Sequence, residues 1–279
     1  MRPSVLPVVL AICASCQSAQ PKPQREVMTT PTHAPTGAES FGVEWRSVRK
    51  EGVGTILLAV ARPAGEGPFP AVVILHGSHG FAREYVQMAM QLSRTGVVAV
   101  AVCWFAPGSG PGTRFVSPLS CPADSPPMSS HQSRQATSTI NAAMRAVRTL
   151  PDVQGDQIAL FGHSRGGGAT WNYALQGGDA QAIILNSAGY PDELIRRANE
   201  IDIPVLILHG ERDGPEDGGS PMTDVGRARA FHGALRKAGK PVEAAFYQAG
   251  GHNGLFASPS QQADEVQRIG TFLRQHLSR

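Results

Sequence analysis

From residue 71 onward, short runs of β-branched and other apolar residues recur, each followed by a stretch whose apolar positions fall three and four apart. "AVVILHG" (71–77) has the continuous apolar character of a strand buried on both faces. "REYVQMAMQLSRTG" (83–96) has the spacing of a helix and stops at Gly96, a helix C-terminal residue. The same alternation predicts strands at 97–104, 157–162, 182–187, 204–210 and 242–248. Helices are predicted at 133–151, from Ser164 onward, near 191–200, and at 223–239 and 261–277. Before them, "VEWRSVR" (43–49) and "GTILLAVARP" (54–63) read as two neighbouring strands. Alternation of this kind requires crossover connections, hence an α/β fold with a mostly parallel, doubly wound sheet flanked by helices. In such sheets ligands bind beyond the carboxyl ends of the strands, so the loops there are where chemistry is expected.

The first forty residues break the pattern. Arg2, an apolar run from Val5 to Ala14, then small residues and the proline-rich "QSAQPKPQREVMTTPTHAPTG" have the order of a secretory signal peptide, the run being too short to span a bilayer. The expected organisation is a signal peptide over 1–15, a disordered tether over 16–40, and one domain over 41–279. "ICASC" resembles the lipobox of bacterial lipoproteins, which makes Cys16 a candidate for lipidation and membrane tethering, although Cys13 stands where that pattern usually has leucine. Export to the periplasm, cell envelope or medium follows. Of the four cysteines, Cys103 and Cys121 then remain in the folded domain, an even pair in an oxidising compartment and a candidate disulfide. The net charge of +3 is spread along the chain rather than gathered in a block, which argues against nucleic acid as a partner.

One stretch carries candidate chemistry. In "ALFGHSRGGGATW" (159–171) Ser164 stands between a predicted strand and a predicted helix, surrounded by Gly162, Gly166, Gly167 and Gly168. That is the G-x-S-x-G context of a nucleophile on a sharp strand-to-helix bend, where neighbours without Cβ atoms give the helix clearance. A serine hydroxyl needs a base, and the base needs an orienting carboxylate. Both follow in chain order, each just after a predicted strand: Asp213 in "LILHGERD" and His252 in "YQAGGHNG". Asp217 competes with Asp213 for the carboxylate role. Backbone N–H groups for an oxyanion hole are expected from Arg165, the residue after the nucleophile, and from Ser78 in "LHGSHGF", with His79 as the alternative. His76, His79 and His163 cluster, but no cysteine or carboxylate stands at ligand spacing, so neither a metal nor another cofactor is expected.

Together "LHGSHG", "FGHSRGG", "HGERD" and "GGHNG" resemble the α/β-hydrolase superfamily, and within it the dienelactone hydrolase-like group, over roughly residues 45–278. The resemblance implies hydrolysis of a small-molecule ester through an acyl-enzyme. Dienelactone hydrolases proper use a cysteine nucleophile, so Ser164 points instead toward a serine esterase, and the group's substrate does not come with its name. Peptide or amide cleavage on the same fold, and a non-catalytic envelope binding protein on a hydrolase scaffold, remain alternatives. The segment after "VVAVAVCW", where this fold keeps cap elements, is too short for a cap domain and implies an open or shallow site. Trp104, Phe105 and Tyr190, at strand ends, are candidates to line the pocket.

Overall fold

The computed structural model describes residues 27–31, 35, 41–106 and 115–277. The expected signal peptide, Cys16 and most of the expected tether lie outside these residues, as does part of the segment after the strand ending at Cys103. Nine strands form one sheet: β1 (Val27–Thr29), β2 (Glu44–Lys50), β3 (Gly54–Ala61), β4 (Phe69–Leu75), β5 (Val98–Cys103), β6 (Val153–His163), β7 (Ala182–Asn186), β8 (Val205–Gly210) and β9 (Val242–Tyr247). Their spatial order is β1-β2-β3-β5-β4-β6-β7-β8-β9. Strands β5 through β9 and β4 run parallel, while β1, β2 and β3 join antiparallel at one edge. Inside the stretch expected to be a disordered tether, Val27–Thr29 pairs with Ser47–Arg49 of β2. Those three residues are the terminal strand of the sheet, paired on one side with β2, which corrects that part of the reading.

The helices are α1 (Arg83–Ser93), α2 (Arg134–Arg148), α3 (Arg165–Leu175), α4 (Asp192–Arg196), α5 (Val225–Lys237), α6 (Gly254–Ala257) and α7 (Pro259–Leu277). Alternate residues of the parallel strands feed two apolar layers, because successive side chains point to opposite faces. On one face Val73, Val100 and Leu160 pack with Ile140 of α2, Trp171 of α3 and Phe231 of α5. On the other, Ile74, Ala101 and Phe161 pack with Met88 of α1 and with Phe272 and Leu273 of α7. Each such aliphatic or aromatic side chain, taken out of water, contributes about 1.5–3 kcal/mol. This double cover explains why β4, β5, β7 and β8 read as unbroken apolar runs. A disulfide joins Cys103, at the end of β5, to Cys121, as expected, with Cα atoms 6.2 Å apart. Among the described residues no helix is long and apolar enough to cross a membrane.

Candidate active site

The carboxyl ends of β4, β6, β8 and β9 lie on one side of the sheet, and Ser78, Ser164, Asp213, Asp217 and His252 lie in the turns that leave them. Ser164 caps α3 with φ 52° and ψ −114°, a conformation that side-chain-bearing residues avoid and that costs on the order of 1–3 kcal/mol. Its N–H donates to the carbonyl of Asn186 at 2.9 Å, which helps to hold the bend. The surrounding glycines serve close approach. A Cβ on Gly162 would lie 2.2 Å from the Gly166 backbone, and one on Gly166 would lie 2.4 Å from the Leu75 carbonyl oxygen. Only hydrogen at both positions lets α3 start directly over β4 and β6.

His252 Nε2 lies 2.9 Å from Ser164 Oγ, and His252 Nδ1 lies 3.0 Å from each carboxylate oxygen of Asp213. The carboxylate can only accept, so Nδ1 carries the proton and Nε2 is left to accept the serine hydroxyl's. Asp213 has a side chain with 0% exposure, so its interaction with the imidazole is little weakened by water. Asp217, the competing acid, instead accepts the backbone N–H of His252 at 2.9 Å. The two turns are stitched together by Arg212 N–H donating to the Gly250 carbonyl and Glu211 N–H to that of Tyr247, both at 2.9 Å.

Ser78 sits at the exposed apex of the turn after β4. Among the described residues its N–H and that of Arg165 have no acceptor. Gly77 N–H is engaged by the Tyr85 hydroxyl at 2.9 Å, and that hydroxyl lies 2.7 Å from His79 Nε2. The Tyr85 O–H therefore donates to a neutral His79, whose basicity is lowered to about 4 by burial and by the neighbouring His252. Burial likewise pushes His76 down to about 3, and it pushes His163 well below the usual imidazole range. These three rings are neutral packing groups around the bend. Among the described residues no group of three or more His, Cys, Asp or Glu side chains is placed to hold a metal ion.

An open cleft of about 530 Å³ lies above Ser164 and His252, bordered by Ser78, Arg165, His131 and Met222. The three residues proposed to line it do not. Trp104 and Phe105 lie under the turn after β4, where Trp104 Nε1 donates to the His76 carbonyl at 3.0 Å and the Phe105 ring packs 4.4 Å from that of His76. Tyr190 is fully buried against Phe231. Its chain neighbours Gly189 and Pro191 face the cleft instead. A strand end presents alternate residues to opposite sides, and the aromatic ones went to the core.

Two buried groups near the site escaped sequence reasoning. His209 Nε2 donates to the Thr223 carbonyl at 2.7 Å and lies 3.3 Å from Asp213 Oδ2, so the proton-bearing edge of a second imidazole faces the carboxylate. Glu265 of α7, with 0% exposure, accepts from Asn186 Nδ2 at 2.7 Å and from Gln261 Nε2 at 2.8 Å. Asn186 Oδ1 in turn lies 2.6 Å from His163 Nδ1. A polar chain thus runs from α7 through the end of β7 to the residue preceding Ser164. Nothing in "LILHG" or "QQADEVQ" signals either group, since both depend on what the fold packs against them.

The sequence profile of the dienelactone hydrolase family matches residues 58–272. Over 226 residues the chain is 21% identical to a protein of Bradyrhizobium sp named "Probable 2-oxo-3-(5-oxofuran-2-ylidene)propanoate lactonase", the match covering 77% of this chain and 84% of that protein. Among solved structures it is similar to an esterase of Pyrococcus furiosus, with TM-score 0.64 and 14% identity over 86% of this chain and 94% of that one. It is also similar to the acylaminoacyl peptidase of Pyrococcus horikoshii, with TM-score 0.63 and 16% identity over 85% of this chain and 42% of that one. These structural likenesses speak to the α/β-hydrolase fold.

Proposed function

The chain belongs to the dienelactone hydrolase family, and we propose that it is a serine hydrolase that cleaves carboxylic esters, lactones included, by a Ser164–His252–Asp213 triad. Membership of the family makes it a hydrolase of the ester or lactone type; the triad and its roles are our reading. The observation that carries that reading is the continuous chain from Ser164 Oγ to His252 Nε2 at 2.9 Å and from His252 Nδ1 to Asp213 at 3.0 Å. Ser164 Oγ attacks the acyl carbon while His252 Nε2 takes its proton, and Asp213 stabilises the imidazolium that forms. Negative charge growing on the carbonyl oxygen is met by the N–H groups of Ser78 and Arg165. The ester bond breaks as His252 returns the proton to the leaving alkoxide. Water, deprotonated by the same imidazole, then releases the acid and restores the serine.

A lactone fits this sequence without change, because its leaving alcohol merely stays tethered to the acyl group. The relative named as a lactonase supports including cyclic esters among the substrates. The cleft, open and about 530 Å³ in volume, favours small acyl groups. Export, proposed from the order of the first forty residues, is supported by the Cys103–Cys121 disulfide, since such bonds persist in oxidising compartments. Lipidation of Cys16 is proposed on its motif alone, and the mass of the membrane-fraction protein decides it: absence of acyl chains removes the tether.

The test is a panel of p-nitrophenyl esters of increasing chain length, simple lactones and peptide p-nitroanilides, run on wild type and on Ser164→Ala. Turnover of short esters or lactones that disappears in the variant supports the proposal. Turnover of anilides alone would assign amide cleavage, and no turnover of anything would leave a binding protein on a hydrolase scaffold.

A further inference from the structure

The side chain of Arg165 does something its backbone role does not require. Its Nε donates to Ser78 Oγ at 3.1 Å and its Nη1 donates to the Ser129 carbonyl at 2.9 Å. Among the described residues no carboxylate lies within ion-pair distance of this guanidinium, so both bonds go to neutral acceptors. The fork therefore ties together the first turn of α3, the turn after β4, and the segment leading into α2. That segment is itself fixed, because Ser129 Oγ lies 2.9 Å from Ser133 Oγ and Ser133 caps α2 by accepting from Ala136 N–H.

The tie matters because of what it joins. Gly77 is wedged between β4 and the bend, where an added Cβ would lie 2.9 Å from the His163 ring, and Gly80 N–H closes the turn onto the Gly77 carbonyl at 3.1 Å. Between these anchors Ser78 is exposed, and its only described side-chain bond is the one to Arg165. Two N–H donors can serve one oxyanion only if their separation stays constant within a few tenths of an ångström, and donors on separate elements need something to hold that separation. We propose that the Arg165 guanidinium is a positioning strap that sets the spacing between the Ser78 and Arg165 N–H groups, so that one residue supplies an oxyanion donor from its backbone and fixes the other donor with its side chain. This rests on the oxyanion assignment made above.

Two variants leave both N–H groups in place while cutting the strap: Arg165→Met and Ser78→Ala. Removing an oxyanion donor outright costs about 10²–10³-fold in kcat, so loosening one should cost on the order of tenfold, with KM for p-nitrophenyl acetate within twofold. Inhibition by a boronic acid, whose tetrahedral adduct places an oxygen in the oxyanion position, should weaken by the same factor. Because the one bond that Ser78→Ala breaks is also broken by Arg165→Met, the double variant should be no worse than the poorer single one. Arg165→Lys, with one compact ammonium in place of a fork, should recover part of the loss. Ser78→Ala removes only an exposed hydroxyl, so it carries the test if Arg165→Met melts at room temperature. The proposal is overturned by kcat unchanged in Ser78→Ala, by a raised KM at constant kcat in Arg165→Met, which would mark a substrate-binding cation, or by losses that multiply in the double variant. Ser164→Ala separates the two levels: if it turns over ester like wild type, the serine reading has failed, whereas an inactive Ser164→Ala beside fully active strap variants removes the strap alone.

Discussion

Replacing Gly162 by alanine tests the bend through a single methyl group. The residue is the last but one in β6, paired with Leu75 of β4 and Leu185 of β7, so its strand cannot move aside. An added Cβ would stand 2.2 Å from the carbonyl carbon and oxygen of Gly166 and 2.4 Å from the Gly167 nitrogen. These are backbone atoms of the first turn of α3, with no flexible end to swing away. Restoring ordinary contact requires that turn to retreat by more than about 1 Å, since carbon atoms settle near 3.5–4 Å. Overpacking of this kind costs typically 1–3 kcal/mol, and with rigid backbone on both sides we expect about 3 kcal/mol. For a domain of this size that lowers Tm by roughly 6–12 °C. A displacement of about 1 Å at the nucleophile also costs on the order of 10²-fold in kcat/KM. Gly233, in the middle of α5 with nothing within 4 Å of an added Cβ, is the matched control. Gly233→Ala should gain about 1 kcal/mol from helix propensity and leave kcat/KM unchanged. Thermal melts and p-nitrophenyl acetate kinetics at 25 °C read both effects. A Gly162→Ala protein within 2 °C and twofold of wild type would refute the steric account of these glycines.

Other perturbations reach different parts of the structure. Asp213→Asn should lower kcat by about 10³–10⁴-fold, because the amide leaves the imidazole in the wrong tautomer, whereas Asp217→Asn should cost less than about tenfold; equal losses would mean that the acid is misassigned. Burial pushes the Glu265 carboxyl up from 4.5 to about 8. Between those values the folded protein holds a proton that the unfolded chain has released, so this contribution to stability is full at low pH and is lost as pH rises through 8. Wild-type Tm should therefore fall over this range more than that of Glu265→Gln, and parallel curves would contradict a proton on the buried acid. Replacing both Cys103 and Cys121 by serine opens a loop of 18 residues and should cost about 3 kcal/mol, seen as a Tm drop of roughly 6–12 °C with ester turnover at 25 °C retained. An unchanged Tm would show that the crosslink constrains little.

The parallel half of the sheet and the meeting of Ser164, Asp213 and His252 were legible because each has a local cause in the chain. Buried parallel strands are apolar throughout, helices on a sheet repeat at three and four, and a sharp bend demands glycines at fixed offsets from Ser164. Asp213 and His252 were found from their places after strands, and Asp213 was preferred to Asp217 because it stands nearer the end of β8. What stayed hidden is relational. Whether an aromatic residue at a strand end faces the cleft or the core depends on the turn that covers it, so Trp104, Phe105 and Tyr190 were misplaced while Gly189, Pro191, His131 and Met222 were overlooked. His209 lies beside Asp213, four residues away, yet it looks in sequence like one more residue of an apolar strand. Glu265 lies 79 residues from Asn186, and its burial follows from how α7 crosses the sheet rather than from any neighbour. The edge strand Val27–Thr29 was missed because a short strand in a proline-rich stretch has no periodicity to read.

The central claim is that acyl transfer passes through Ser164, and the most direct measurement is the site of covalent attachment. A fluorophosphonate probe, and p-nitrophenyl acetate quenched within one turnover, are each followed by peptide mass spectrometry on wild type and Ser164→Ala. The account predicts one adduct per chain, on the hydroxyl of Ser164, absent from the variant together with ester turnover. An adduct on another residue, or a Ser164→Ala protein that still hydrolyses the ester at the wild-type rate, would contradict it.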